Sequence, residues 1–435
     1  MKNPLLKLSL SLFLVLSLSA KETYTVDDLI ITALQNSPDL KISKSKYSAS
    51  KQDLIVADSG YLPVVDLSVS AGQFGQSDIQ NNKPHDMVDS TGIVGTISLK
   101  QLIYDFGKTT DNSDIYKYNS DSFNMANEQQ ISNKKQEVKS AYYNILQKIA
   151  LIQVNKENVK LNEAQLYRSK KYFDAGIRTK IDVSDAKVSY IQSKLDLRKS
   201  EYDLKLAFAY LDQVVGFTDI QTDYDVYSET LDLNDLYSSL KNYHFTLVDS
   251  IEFAYENRYE IKQFIAKGQS AKASAKQSNS KFYPSIYLYG DYTKQDIQDE
   301  PLKDNMPEDQ WVAAVNFEWN LYEGGATSAV EQEKKIQKNI SDSELLFTKL
   351  TIKKEATQAY INVEKTKDSV ELSQSLLKVS NEKFDQASKR YENGLSDYIE
   401  LQEARQGYIN AKASLVVDYY DYYNSIAILD NAIGK

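Results

Sequence analysis

Two periods take turns along this chain. Over 65–72 apolar and polar residues change places at every step, Val65, Leu67, Val69 and Ala71 against Asp66, Ser68, Ser70 and Gly72. Over 93–100 Ile93, Gly95, Ile97 and Leu99 alternate with Val94, Thr96, Ser98 and Lys100. A period of two gives a strand two unlike faces. The alternation returns with Ile286, Leu288 and Tyr292 against Ser285, Tyr287 and Asp291, and with Trp311, Val315, Phe317, Trp319 and Leu321 against Asn316, Glu318 and Asn320. Four amphipathic strands of about 13 to 15 residues are predicted. After each strand pair the period lengthens. Between Lys108 and Phe173 there is no proline or glycine, and Val138, Tyr142, Ile145, Ile149, Ile152 and Val159 keep the spacing of a coiled-coil seam. At 1.5 Å per residue this segment, one helix or two in line, would reach about 100 Å. A partner is predicted over 326–392, with returning helices over 180–215 and 397–433. The turns between them, Ala175-Gly176-Ile177 and Asn393-Gly394-Leu395, each hold a glycine that can take the left-handed conformation ending a helix.

The second half repeats the first. At a shift of 218 residues, Ala141-Tyr142-Tyr143-Asn144 falls on Ala359-Tyr360-Ile361-Asn362, Gly176 on Gly394, Ala186 on Ala404 and Tyr190 on Tyr408. Nearer the start the shift is 221, placing Ala33, Asn36 and Pro63 on Ala254, Asn257 and Pro284. Duplication accounts for this. The expected organisation is a leader over 1–20, a first repeat over 21–215, a linker over 216–245 without counterpart, and a second repeat over 246–435.

The leader follows from Lys2 and Lys7, the apolar run Leu8 to Leu18, and the small residues ending at Ala20. Its removal takes the formal charge from −10 to −12, a poor balance for a nucleic-acid binder. With no cysteine and only His85 and His244, thiol chemistry, disulfides and Cys/His metal clusters are excluded. No catalytic constellation is visible, so no enzyme, cofactor or metal is expected. Tyrosine, with 32 residues, is the composition figure that stands out.

Four strands do not close a membrane barrel, which starts at about eight, and open edges in lipid leave backbone groups unpaired. Strands from other chains must complete it: two copies would leave a filled interior, three a lumen. The motifs give this a context. Leu321-Tyr322-Glu323-Gly324-Gly325 and its weaker copy Ile103-Tyr104-Asp105-Phe106-Gly107, the entries Tyr61-Leu62-Pro63 and Phe282-Tyr283-Pro284, and the two glycine hairpins over 175–186 and 393–404, duplicated and in this order, resemble the TolC-like outer-membrane efflux proteins. The resemblance implies a mixed α/β membrane protein whose four strands join those of two further copies in a homotrimeric twelve-stranded barrel in outer-membrane lipid. A twelve-helix periplasmic tunnel would continue it, fed by an inner-membrane pump through a periplasmic adaptor. Within that reading the substrate, whether drug, metal or protein, is left open. The other reading is an exported periplasmic or surface coiled coil with a structural or adhesive role, which gives no reason for four strands in duplicated phase.

The hairpins carry the candidate site. Asp182/Asp185 and Glu400/Glu403 each sit at i, i+3 near a helix start, where carboxylates suit the dipole and where threefold symmetry would make rings. The resemblance implies that Glu400 and Glu403 line the constriction, and that Tyr391 bonds Asp182 to hold the two hairpins together. It also implies an arginine in the second hairpin; Ser396 stands there, and Arg178 appears in the first hairpin instead. Tyr61, Phe74, Phe282, Tyr283, Trp311 and Trp319 are candidates for aromatic girdles.

Overall fold

A computed structural model describes residues 22–76, 79–80, 83–84, 88–218, 224–229, 231–297 and 308–435. The leader, His85 and much of the two polar loops between strands lie outside the described residues, as does the side chain of Phe74.

The duplication is visible in how each helix starts and stops. Helix α1 (Val26–Asn36) begins at Thr25, whose hydroxyl accepts the Asp28 amide while Asp28 accepts the Thr25 amide. Helix α5 (Leu247–Asn257) begins with the same capping box from Thr246 and Asp249. Helices α2 (Pro38–Asp58) and α6 (Tyr259–Ser280) follow. The long helices α3 (Lys108–Asp174) and α7 (Ala326–Glu392) are each single and 67 residues in length, and α4 (Lys180–Val215) and α8 (Tyr398–Ile433) return from them with 36 each. Gly216 stops α4 at φ 84°, where a Cβ would stand 3.1 Å from the Asn36 carbonyl carbon. Gly434 stops α8 at φ 81°, 3.0 Å from the equivalent atom of Asn257. No side chain fits at either stop.

Seven-residue spacing governs the buried faces: Val138, Ile145 and Ile152 on α3, Ala356, Val363, Val370 and Leu377 on α7, and Ala186, Ser193, Ser200 and Ala207 on α4. The expected seam on α3 does not continue past Ile152. Ile149 and Val159 are part-exposed, and the buried positions become Asn158, Asn162, Gln165 and Ser169. Asn162 donates to the Asn158 carbonyl and side-chain oxygens at 2.8 Å, and Gln165 to Ser169 at 3.4 Å. All of these bonds run along α3.

Strands β2 (Val64–Gln76), β3 (Val88–Tyr104), β5 (Ser285–Ile297) and β6 (Asp309–Glu318) form one antiparallel sheet in the order β2-β3-β5-β6. Their lengths are 13, 17, 13 and 10 residues, a wider range than predicted, and Trp319 and Leu321 fall beyond β6. In register, Leu67 pairs with Ile97, Ile97 with Tyr292 and Tyr292 with Trp311. That row is apolar and exposed throughout. No helix among the described residues is long and apolar enough to cross a membrane.

The turns from strand into helix show where the copies part. Gly324 and Gly325 both have positive φ, 62° and 86°. In the first copy Phe106 takes the equivalent place at φ 55°, followed by Gly107 at 90°. Non-glycine residues rarely hold that conformation. Here the Phe106 ring stacks on Tyr283 at 5.0 Å, and Asp105 accepts the Thr109 amide and hydroxyl at 2.8 and 2.6 Å.

Backbone packing divides the chain into two compact units, one of residues 1–37, 134–242 and 365–427, the other of 38–133, 243–364 and 428–435. Each draws on both repeats. The first holds both glycine hairpins and most of the segment expected as a linker. That segment is tied down: β4 (Tyr224–Val226) pairs in parallel with β1 (Glu22–Tyr24), and the Tyr224 hydroxyl donates to Asp212 at 2.7 Å.

Candidate functional site: the paired hairpin ends

Both glycine turns have the same backbone. Gly176 and Gly394 each sit at φ 72°, and the last carbonyls of α3 and α7 are taken by amides beyond the glycine, Ile177 to Tyr172 and Leu395 to Arg390. The sequence after each turn then acts differently. In the first hairpin Thr179 and Asp182 close a capping box, with the Asp182 carboxylate accepting the Thr179 amide and hydroxyl at 2.9 Å. In the second, Asp397 accepts the Glu400 amide at 2.9 Å. That frees the Glu400 carboxylate to pair with Arg390 at 3.2 Å, within the same hairpin.

Between the hairpins lies a small core of Ala186, Ala387, Tyr391, Tyr398, Leu401 and Ala404, with Tyr172 and Phe384 against it. Tyr391 is 1% exposed, and its hydroxyl has no hydrogen-bond partner among the described residues. The expected bond from Tyr391 to Asp182 is absent because the carboxylate already serves the cap. The link is made by Arg178. Its guanidinium lies 4.7 Å from the centre of the Tyr391 ring and donates to the Ser396 carbonyl at 3.0 Å. Arg178 and Ser396 are 218 residues apart, so the arginine grips the backbone of its own duplicate position.

Three further links escaped the sequence reading. Arg168 pairs with Glu392 across the hairpins, Tyr398 donates to Ser189 at 3.1 Å, and farther along α8 Lys412 pairs with Glu157 at 2.7 Å and receives support from Tyr408. Burial works against the Lys412 charge, but Glu157 and Tyr408 offset it and hold the ammonium above its ordinary pKa. The signal for Arg390 was present in the glycine turn, which folds back residues ten apart. Of the four carboxylates expected at the constriction, Asp182 is in a cap and Glu400 in an ion pair. Asp185 and Glu403, themselves equivalent, are exposed.

The comparisons with known proteins bear on this arrangement. A model of the family described as outer membrane efflux protein matches residues 29–217 and 251–435. The chain belongs to the outer membrane efflux protein family. No curated protein matches it by sequence. Among solved structures, the efflux protein is similar to CusC, described with its transmembrane channel formation, at a TM-score of 0.82 and 17% identity over 94% of this chain and 92% of that one. A membrane protein from Pseudomonas aeruginosa gives 0.81 and 16% over 94% and 93%. The Campylobacter jejuni CmeC outer membrane channel gives 0.80 and 17% over 94% and 85%. At these identities the likeness speaks for the fold. Together with the family, it places the efflux protein in the outer membrane with a large periplasmic part. Four strands per chain and long paired helices, in duplicate, are its architecture.

Proposed function

We propose that this efflux protein is a trimeric exit duct that passively conducts substrates handed to it by an inner-membrane pump through a periplasmic adaptor. One observation carries the reading. The four-stranded sheet ends in two strands, β2 and β6, that pair on one side only among the described residues, and its apolar rows are exposed. A sheet of that kind in lipid has to find further strands. Helix α4 supports the assembly, since Ile181, Val188, Leu195 and Tyr202 lie exposed at seven-residue spacing, a seam in need of a partner helix. In this reading Arg178 and Tyr391 latch the periplasmic mouth, and Glu403 with Asp185 supplies its charged ring. The mature protein extracted in detergent is expected at three times the chain mass by light scattering corrected for detergent. A monodisperse monomer would reject the duct.

A further inference from the structure

Six of the 32 tyrosines, none of them in the hairpins or the strands of the sheet, gather around one cavity. Tyr142 and Tyr143 of α3, Tyr419, Tyr420 and Tyr423 of α8, and Tyr227 just after β4 line a space of about 250 Å³. The rings form a continuous set: Tyr142 to Tyr143 at 5.7 Å, Tyr143 to Tyr423 at 5.7 Å, Tyr423 to Tyr419 at 5.1 Å and Tyr419 to Tyr420 at 5.1 Å.

Their hydroxyls are largely committed elsewhere. Tyr142 donates to the Tyr227 carbonyl. Tyr419 accepts from Ser239 at 3.3 Å, and Tyr423 accepts the Lys241 amide at 3.3 Å and donates to the Ser239 carbonyl at 3.4 Å. What these rings leave for an occupant is π surface, which is electrically negative and attracts cations. Burial pushes the Tyr142 phenol up to about 12 and raises Tyr420 and Tyr423 as well, so the wall stays uncharged at neutral pH.

Two charged residues complete the lining. Glu229 is exposed; its backbone carbonyl accepts from the Ser228 hydroxyl at 3.4 Å, its carboxylate takes no hydrogen bond or ion pair among the described residues, and its field reaches both Tyr142 and Tyr420. Lys241 is held by its backbone, the amide to Tyr423 and the carbonyl to Tyr422. Its ammonium opposes a cation, while the Glu229 carboxylate favours one. We propose that this cavity binds a small organic ammonium cation, with the charge against the tyrosine rings and Glu229 at the mouth. The site uses none of the hairpin residues, and all of its lining comes from a single chain.

The test is calorimetric titration of the full chain in detergent with choline and with 3,3-dimethylbutan-1-ol, which has the same shape without the charge. Choline is expected to saturate, and the neutral isostere to bind at least about tenfold more weakly. Glu229→Gln should weaken choline about threefold and leave the isostere unmoved. Lys241→Gln should tighten choline by a similar factor. Both side chains are exposed, so neither change touches the ring packing. No saturable choline binding up to about 100 mM, equal binding of the isostere, or indifference of choline to Glu229→Gln would each overturn the site.

Discussion

Residues 166–190 of the first hairpin carry six Lys or Arg and three Asp, while the equivalent 384–408 of the second carry three Lys or Arg and five Asp or Glu. Yet both turns place glycine at φ 72° and both hand their last helical carbonyls to the amides beyond. The difference teaches that the backbone of the duplicated unit is fixed by a few conformational requirements, whereas the charges are free to diverge. Divergence has turned two equal ends into a donor and an acceptor. The basic hairpin offers Arg178; the acidic one offers a ring and a carbonyl, Tyr391 and Ser396.

The sharpest way to break this complementarity is Arg178→Ala, which removes the stacked cation and the bond to Ser396 together. Single-channel conductance in planar bilayers should rise several-fold as the two-state mouth shifts toward open. Tyr391→Phe keeps the ring and removes a hydroxyl without a partner, so its conductance should match the parent. A response confined to Tyr391→Phe would show that the hydroxyl, and not the arginine, is the latch.

A smaller effect separates the carboxylates at the hairpin ends. Glu400 is paired with Arg390 in its own hairpin, whereas Glu403 is exposed and makes no ion pair among the described residues. Block by a trivalent cation added from the periplasmic side should therefore weaken markedly in Glu403→Gln, partly in Asp185→Asn, and little in Glu400→Gln. Equal weakening by Glu400→Gln would mean that the Arg390 pair does not screen the mouth.

The smallest effect concerns the caps. Asp182→Ala removes the box with Thr179 and should destabilise the start of α4 by about 1 kcal/mol, read as faster amide exchange over residues 180–183 with conductance unchanged. Asp397→Ala should do the same at the start of α8. A conductance change from Asp182→Ala without faster exchange would return Asp182 to the latch.

Much of this fold was legible because its signals are periodic and doubled. The absence of proline and glycine from 108–174, the two alternating strand pairs and the paired glycines at 176 and 394 each had a second copy to check against. The site was less legible, for a physical reason. Asp182 offers one carboxylate to two competing uses, a ring or a cap, and Thr179 three residues earlier already carried the signature of the cap. Proximity decided it: a partner in the same turn is always within reach, while Tyr391 must be brought from the other hairpin. Arg178 was visible as an arginine out of place, but the sequence holds no mark for a bond to a backbone carbonyl.

The polar stretch of α3 has a mechanical consequence. Where Val138, Ile145 and Ile152 interlock with their neighbours like teeth, Asn158, Asn162, Gln165 and Ser169 spend their hydrogen bonds on their own helix. The Asn162 side-chain oxygen has no partner at all among the described residues, so these buried amides tie α3 to nothing beyond itself, and the ties to other elements along this stretch are polar pairs at its surface, Glu157 with Lys412 and Arg168 with Glu392. If the proposed mouth opens, these pairs and the Arg178 bond to Ser396 are the contacts that have to break, and they would act as its brake.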